Sequence, residues 1–342
     1  MENRKVIVGM RTHNSSETVI KSLTSILNQT YPNISLIVYD DKSTDRTLTI
    51  LEKYKPLFEK KDFSLNIISS EQSCNEGCGK SSERLNKFIA SQIDDNDIFM
   101  GLDSDDVFLT PNTVENCVKQ INTTKANILI AGYDIQGDKS LVINYKGGAP
   151  HNELSHKLGN KKEAVSITEM PEIASTADSI GWTKIIDGKT FKHYANMYPE
   201  CPKEMNVCED FPTLAMFLYK DTKITGLKDN AYGYYKHPQS STAQIIQKEA
   251  FSVVRIGFLK VLQNMYKNHQ EEFIAGANNY INRFIEKKYA VIGNIVDKKS
   301  KEGLLLDYTR KDFEQDFQKN IDCSKLKLNT HISPVIHSEK SR

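Results

Sequence analysis

Short apolar runs alternate with amphipathic segments through the first 130 residues, and this alternation constrains the fold more than any other feature. Strands are predicted at 6–10, 34–39, 63–67, 98–102 and 127–132. Between the first two, apolar residues such as Val19, Leu23 and Ile26 recur at helical spacing. Strands separated by helices imply βαβ units, and therefore an α/β fold with a mostly parallel central sheet flanked by helices.

Polar residues follow three of these predicted strands. Residues 11–14 follow the first strand, Asp40-Asp41 the second, and Asp103-Ser104-Asp105-Asp106 the fourth. Parallel strands bring these tips to one edge of the sheet, where open α/β sheets bind ligands. Two carboxylates one residue apart suit a hard divalent cation that bridges to phosphate. A solvated acidic turn remains the alternative for the last group, and a cap of the next helix for Asp40-Asp41.

Composition excludes several classes of protein. With 39% hydrophobic and 26% charged residues the chain is globular, and a net charge of +1 from 45 basic and 44 acidic side chains gives no support for a nucleic-acid partner. No apolar run approaches the ~18 residues of a membrane span, and Val6–Met10 is too short for a signal-peptide core. We therefore expect a cytoplasmic protein with six cysteine thiols. Cys74 and Cys78 have the spacing of half a zinc site, but no second Cys/His pair with matching spacing follows.

The second half of the chain is harder to interpret. Asn14 with Glu17 predicts a capping box for the first helix, and Thr110-Pro111 predicts the start of another. The stretch 151–163 is expected to be a loop, 182–186 a strand, and Pro212 the start of a helix with Glu209-Asp210 at its positive end. From residue 243 the pattern is helical. We expect a catalytic domain over 1–242, a helical region over 243–320 and a flexible tail over 321–342.

Several motifs resemble those of the family 2 glycosyltransferases of the GT-A fold. They are Val8-x-Met10-Arg11-Thr12-His13-Asn14, residues 23–31 (LTSILNQTY) and residues 38–45 (VYDDKSTD), with Asp103-Ser104-Asp105 at the place of the DxD motif. Trp182-x-Lys184, Glu209-Asp210 and Tyr234-Tyr235-Lys236-His237 with Ser240-Ser241-Thr242 resemble later elements of bacterial surface-polysaccharide members. The resemblance covers residues 4–242, but the stretch 69–82 has no match in it.

The resemblance assigns the donor side of a site. It implies that Arg11 and His13 pack against the nucleotide base, that Asp41 or Asp40 accepts a hydrogen bond from the base edge, and that Arg84 faces the nucleotide. Asp103 with Ser104 would lie at the ribose or at a metal-bound water. Asp105, with Asp103, would ligate Mn²⁺ or Mg²⁺ on the diphosphate, and His237 would close over that group.

The acceptor side is implied by later residues. Asp210 would be the catalytic base, with Glu209 as the second choice, because an acceptor hydroxyl needs a base near it. Trp182 and Lys184 would contact the acceptor, although a large aromatic residue such as Trp182 is more often a core residue. Separate acidic groups for metal and acceptor favour an inverting reaction over a covalent intermediate.

The implied function is an inverting, metal-dependent hexosyl- or N-acetylhexosaminyltransferase. It would move a sugar from a nucleotide diphosphate, most simply a UDP-sugar, to a hydroxyl of a cell-surface glycan that is free or lipid-linked. Peripheral contact with the inner face of the membrane, a homodimer interface and a solvated helix face are all compatible with a basic set of C-terminal residues: Lys287, Lys288, Lys298, Lys299 and Lys301.

Two other interpretations stay open on the sequence alone. One is a phosphotransferase of the haloacid-dehalogenase type, since Asp103-x-Asp105-x-Val107 fits its motif with Asp103 as the nucleophile. That class carries its motif on the first strand, whereas here it follows the fourth. The other is a GT-A domain that binds its ligand without turnover, which need not keep both the DxD motif and Glu209-Asp210.

Overall fold

A computed structural model of the chain describes residues 3–137, 148–176, 181–198, 211–236 and 265–277. The strands in these segments are β1 (Val6–Thr12), β2 (Ile34–Asp40), β3 (Ser64–Ser69), β4 (Ile98–Gly101), β5 (Val107–Phe108), β6 (Ile128–Ile130), β7 (Tyr133–Gly137), β8 (Lys184–Asp187), β9 (Ile224–Gly226) and β10 (Tyr232–Lys236). The α-helices are α1 (Val19–Leu27), α2 (Thr47–Glu59), α3 (Cys78–Gln92), α4 (Thr113–Thr124), α5 (Gly148–Gly159), α6 (Glu172–Thr176) and α7 (Gly188–Met197). Short 3-10 helices cover Gly181–Thr183, Phe211–Leu218 and Gln270–Glu272.

The main sheet has seven strands in the order β3-β2-β1-β4-β8-β6-β9. The pairs β3–β2, β2–β1, β1–β4 and β6–β9 are parallel, whereas β8 runs antiparallel to both β4 and β6. Thr12 and Asp40 are partners in the register of β1 and β2, so these strands end side by side. The predicted α/β fold with a mostly parallel sheet flanked by helices is confirmed.

Helices cover both faces of this sheet, which explains the continuous apolar runs of its strands. Every residue of β2 is buried, as expected for a parallel strand packed on two sides. Along β1, Val6 and Val8 pack with residues of α1, whereas Ile7 packs with residues of α3 and α7. Full burial of each such side chain contributes about 1.5–3 kcal/mol to stability. The alternation of the strand therefore fixes a core on each side of the sheet.

A second sheet of three strands, in the order β5-β10-β7, has no counterpart in the sequence analysis. Strand β10 pairs antiparallel with β5 and parallel with β7, so that Tyr232 lies opposite both Phe108 and Tyr133. These strands are short, and their partners lie about 100 residues apart in the chain. No local pattern could therefore reveal the pairing.

The first helix does not begin with the predicted capping box. Helix α1 begins at Val19, and Thr18 precedes it without a side-chain cap. Asn14 instead adopts a positive φ of 49°, a conformation that asparagine tolerates well. Its Oδ1 accepts a hydrogen bond of 2.8 Å from the backbone N–H of Thr44. The side chain that was expected to cap a helix thus ties the loop after β1 to the loop after β2.

Three further elements differ from their predicted positions. Helix α4 begins at Thr113, two residues after Pro111. The predicted loop at 151–163 is largely the helix α5. The strand predicted at 182–186 is β8, which begins at Lys184 after a 3-10 turn that contains Trp182. The proposed domain boundary after residue 242 and the tail lie outside the described residues, and so does most of the predicted helical region. Within the described segments, no helix combines the length and apolarity needed to cross a membrane.

Candidate active site

The carboxyl ends of β1 and β4 are joined by polar contacts at one edge of the main sheet. Nη2 of Arg11 lies 3.2 Å from Oδ1 of Asp103. Oγ of Ser15 lies 2.9 Å from Oγ of Ser104. The hydrogen bond from Thr44 to Asn14 brings in the end of β2 as well. The expected convergence of the three strand tips is therefore present.

Three carboxylates in the turn after β4 form an acidic trio: Asp103, Asp105 and Asp106. Each offers one oxygen, and these oxygens lie within 4.8 Å of one another. The backbone N–H of Asp106 donates to the carbonyl of Asp103 at 3.1 Å, which closes the turn. Carboxylate oxygens at this spacing suit Mg²⁺ or Mn²⁺. In the part of the chain that the structure describes, no other group of three His, Cys, Asp or Glu residues is arranged in this way.

Asp106 is the member of the trio that sequence reasoning left without a role. Its side chain is completely buried, and its Oδ1 accepts a hydrogen bond of 2.8 Å from the backbone N–H of Tyr235 in β10. Among the described residues its Oδ2 has no hydrogen-bond partner. Burial, and then the charges of Asp105 and Asp103, hold the pKa of Asp106 well above its usual range. An unpaired buried oxygen beside two carboxylates is a second feature that fits a cation.

Lys236 brings a positive charge to this region from the second sheet. Its Nζ donates to the Tyr234 hydroxyl at 2.7 Å and lies 4.0 Å from the centre of the Tyr234 ring. Burial lowers the pKa of Lys236, whereas the nearby Asp106 and Asp105 favour its charged form. Lys236 belongs to the motif Tyr234-Tyr235-Lys236-His237, but the family resemblance implied a role only for the neighbouring His237.

Asp41 holds a loop rather than standing open to solvent. Its Oδ2 accepts hydrogen bonds from the backbone N–H groups of Glu76 and Gly77, at 3.2 Å and 2.9 Å. Gly77 has a positive φ of 85°, which glycine adopts without strain. Burial raises the pKa of Asp41, against the effect of these amides. The segment 69–82, which has no match in the family resemblance, is therefore anchored on a residue that the resemblance assigns to base recognition.

Asp40 and His13 support the same loops. Oδ2 of Asp40 accepts from the backbone N–H of Ser43 at 3.1 Å, within the loop after β2. Helix α2 begins only at Thr47 and has no side-chain cap, so the alternative that Asp40-Asp41 caps it is wrong. Its Oδ1 is buried and has no hydrogen-bond partner among the described residues. His13 Nδ1 lies 2.7 Å from the carbonyl oxygen of Asp41. Both residues lie beside Asp41, and their contact with a nucleotide base stays a prediction.

Arg84 is engaged by a neighbouring carboxylate. Its Nε lies 2.7 Å from Oε2 of Glu76, and its Nη2 donates to Oε1 at 2.8 Å. The Tyr39 hydroxyl lies 3.5 Å from the same Glu76 carboxylate. Arg84 thus fixes the residue whose backbone N–H binds Asp41. A direct contact of Arg84 with the nucleotide stays a prediction.

A small cavity of about 70 Å³ lies beside Asp103 and Arg11, and Trp182 forms part of its wall. The ring of Trp182 is 95% buried and packs against Tyr133, Tyr232 and Tyr234, with ring centres 5.4, 4.9 and 5.5 Å away. Trp182 therefore joins the two sheets and also reaches the edge of the site.

The remaining predicted residues are less informative. Lys184 is completely buried, and its Nζ donates to Oγ1 of Thr183 at 2.7 Å. Its contact with an acceptor stays a prediction, as does that of Trp182. Glu209, Asp210 and His237 lie outside the described residues.

Comparison with known proteins bears on this arrangement. Residues 7–172 match the sequence model of glycosyl transferase family 2. WfgD of Escherichia coli, a UDP-Glc:α-D-GlcNAc-diphosphoundecaprenol β-1,3-glucosyltransferase, is 26% identical over 158 residues, which are 46% of this chain and 56% of WfgD. TarS of Staphylococcus aureus, a poly(ribitol-phosphate) β-N-acetylglucosaminyltransferase, is 24% identical over 285 residues, which are 82% of this chain and 44% of TarS. The chain spans about half the length of these curated relatives.

Solved structures share the fold. The crystal structure of S. aureus TarS 1–349 in complex with UDP superposes with a TM-score of 0.53 at 21% identity, over 93% of this chain and 88% of that one. The mannosyltransferase PcManGT of Pyrobaculum calidifontis, in complex with GDP-Man and Mn²⁺, gives a TM-score of 0.51 at 13% identity, over 86% and 73% of the two chains. At these identities the likeness establishes the architecture alone.

Proposed function

Because residues 7–172 belong to glycosyl transferase family 2, we propose that this chain is an inverting glycosyltransferase that uses a nucleotide diphosphate sugar and a divalent metal. The observation that carries the proposal is the acidic trio at the carboxyl edge of the sheet, with Arg11 paired to Asp103. Ligands of α/β sheets bind at such an edge. A donor whose leaving group is a diphosphate needs positive charge there.

The donor is a UDP-sugar, and the transferred group is a hexosyl or N-acetylhexosaminyl unit. The names of WfgD and TarS, and the structure of TarS with UDP, support this choice. PcManGT was crystallised with GDP-Man, so the fold does not by itself fix the base. In this chain the base would lie near Asp41, beside Arg11 and His13, where the loop of Glu76 and Gly77 closes one wall.

Asp105 and Asp103 would hold Mn²⁺ or Mg²⁺ at the diphosphate. When bound, such a cation offsets the negative charge that develops on the leaving diphosphate. The residues of the chain prepare this site: Arg11 orients Asp103, and Ser15 contacts Ser104 within the same turn. Mn²⁺ in the PcManGT complex supports a metal in this fold.

On the acceptor side, Asp210 would remove the proton of the attacking hydroxyl, with Glu209 as the second candidate. The acceptor is a cell-surface glycan. The undecaprenyl diphosphate in the name of WfgD supports a lipid-linked acceptor and a place of action at the cytoplasmic face of the membrane. Trp182 would form an acceptor wall, since it lies beside Asp103 in the cavity.

A haloacid-dehalogenase reaction at Asp103 is not favoured. Residues 7–172 match a different family. Asp103 also follows the fourth strand along the chain, and its carboxylate is paired with Arg11.

Calorimetric titration of the full chain with UDP, GDP, CDP and ADP, in Mn²⁺ and in EDTA, tests the proposal. We expect Mn²⁺-dependent binding of UDP by the wild-type protein and its loss in Asp105→Ala. Glu52→Ala, which removes an exposed carboxylate of α2, is the control and should bind UDP as the wild type does. Equal UDP binding by Asp105→Ala would show that the metal assignment is wrong. No binding of any diphosphate, together with phosphatase activity on a simple ester, would overturn the glycosyltransferase.

A further inference from the structure

Lys236 ends β10, and its position is fixed from two directions. The preceding residue, Tyr235, donates its backbone N–H to Oδ1 of the buried Asp106 at 2.8 Å. The Lys236 ammonium itself rests on Tyr234, 2.7 Å from the hydroxyl and 4.0 Å from the ring centre. These contacts fix the end of β10 against the acidic trio, and Asp106 and Asp105 are near enough to favour the charged form of the ammonium against the effect of burial.

The ammonium of Lys236 is not locked in an ion pair. None of the salt bridges within the described residues involves Lys236, and its hydrogen-bond acceptor is a neutral hydroxyl. The hydrogen bond to Tyr234 has one charged partner, whereas a bond from the ammonium to an anion has two and gains their Coulombic attraction as well. An anion that enters the site can therefore draw the ammonium from Tyr234 at a small cost in free energy.

Two cations thus accompany the carboxylates before any ligand arrives: Arg11 contacts Asp103, and Lys236 lies beside Asp105 and Asp106. A divalent cation that binds alone must enter next to both positive charges. Like charges at such close range repel, and burial strengthens the repulsion because the local dielectric constant is lower than that of water. A diphosphate that enters with the metal brings negative charge, which these same cations attract.

We propose that Lys236 couples the two ligands of the site: its ammonium weakens the binding of the metal alone and strengthens the binding of the diphosphate that accompanies the metal. The proposal rests on the proposed function, since it takes the donor to be a nucleotide diphosphate. Coupling of this kind is reciprocal, so UDP must tighten Mn²⁺ by the same factor by which Mn²⁺ tightens UDP.

The test replaces Lys236 in the full-length chain and measures the two ligands separately. Lys236→Met removes the charge, Lys236→Gln removes it but keeps a donor for the Tyr234 hydroxyl, and Lys236→Arg keeps it. Lys53→Met, at an exposed position of α2, is the matched control. Mn²⁺ affinity is measured without nucleotide, and affinities for UDP and for inorganic pyrophosphate are measured in saturating Mn²⁺.

We expect Lys236→Met and Lys236→Gln to bind Mn²⁺ alone more tightly and UDP with Mn²⁺ more weakly, each by about fivefold or more. Lys236→Arg and Lys53→Met should match the wild type. Unchanged affinities in both uncharged variants would overturn the proposal and leave Lys236 as a packing partner of Tyr234. If Lys236→Met fails to fold in a thermal melt, Lys236→Gln decides by the same criteria.

The experiment separates this inference from the proposed function. If the wild type binds no nucleotide, the donor assignment fails, whereas the Mn²⁺ and pyrophosphate measurements still decide whether Lys236 couples a metal to a diphosphate. If UDP binds and the Lys236 variants behave as the wild type, the donor assignment stands and the coupling role is wrong.

Discussion

The two ends of the acidic trio are held in opposite ways. At one end, Asp103 keeps 34% of its side chain exposed and faces Arg11, which is itself partly exposed. At the other end, Asp106 is completely buried and is bound by the backbone of β10, a strand of the second sheet. The first end belongs to the main sheet alone, and the second end depends on both sheets.

This difference suits the two ends to different tasks: the exposed end can exchange ligands, and the buried end can hold the turn in position. A partly exposed ion pair contributes about 0–1 kcal/mol, so Arg11 and Asp103 can change partners when a ligand binds. The contact of Asp106 is shielded from water, and its loss would leave the Tyr235 N–H unsatisfied at a cost of about 1–3 kcal/mol. We infer that Asp103 and Asp105 exchange ligands, whereas Asp106 keeps the turn in place.

The largest effect is expected away from the trio. If both ends of the trio serve the donor, the catalytic base that accepts the proton of the acceptor hydroxyl must lie elsewhere. Asp210→Asn should then lower kcat by about 10²–10⁴-fold with little change in UDP affinity. Glu209→Gln is the control, with a much smaller effect on kcat. Turnover by the purified variants and UDP titration measure the two quantities. If Asp210→Asn retains activity and Glu209→Gln loses it, Glu209 is the catalytic base and Asp210 is not.

Removal of Trp182 should damage the buried end most. Its ring packs against Tyr232 and Tyr234 of β10 and against Tyr133 of β7, so Trp182→Ala should lower the free energy of unfolding by about 3–5 kcal/mol. Denaturant unfolding measures the loss, and Leu57→Ala, at a side chain that is 48% exposed, is the control. A loss no larger than that of the control would mean that Trp182 does not hold the two sheets together.

The titration of Asp106 sharpens the comparison further. Burial raises the folded-state pKa of Asp106, so between the ordinary value and the raised value the folded state holds a proton that the unfolded state has released. The free energy of unfolding therefore falls as the pH rises through this window, by about 1.4 kcal/mol for each pH unit. Asp106→Asn lacks this loss, because its amide does not ionise.

We therefore expect Asp106→Asn to gain stability relative to the wild type between about pH 5 and about pH 8. The free energy of unfolding of both proteins, measured in EDTA at the two pH values, tests this. Asp95→Asn is the control, because Lys192 lowers the pKa of the exposed Asp95 carboxyl. Asp95 is then ionised in both the folded and the unfolded state at either pH, so this variant should differ from the wild type by the same amount at both. A difference between Asp106→Asn and the wild type that does not change with pH would mean that Asp106 is ionised in the folded state.

The main sheet and the exposed end of the trio were predictable because their signals are local. Strands β1, β2 and β4 are apolar runs with polar residues at their ends, and Asp103 with Asp105 has recognisable spacing. Burial of a carboxylate has no such signal. Nothing in the sequence distinguishes Asp106, in an acidic run, from a residue in a solvated turn.

The second sheet and α5 were missed for related reasons. Tyr235 and Asp106 are 129 residues apart in the chain, and β5 has only two residues. Helix α5 buries polar side chains: Ser155 donates to the carbonyl of Ile130 at 2.9 Å, and His151 Nε2 lies 3.0 Å from that of Ala131. A helix whose buried face is hydrogen-bonded lacks the apolar periodicity by which helices are recognised.

Arg84→Ala should give the smallest effect. It tests whether the residues that change partners when a ligand binds include Arg84, beside the loop that Asp41 holds. The Arg84 side chain is 44% exposed in its pair with Glu76, so its loss should change the free energy of unfolding by less than about 1 kcal/mol. If Arg84 only fixes Glu76, UDP affinity should fall by less than about tenfold, and Glu76→Gln should lower it to a similar degree. A much larger loss in Arg84→Ala than in Glu76→Gln would mean that the guanidinium leaves Glu76 for the nucleotide. The ligand-exchanging side of the site would then include α3.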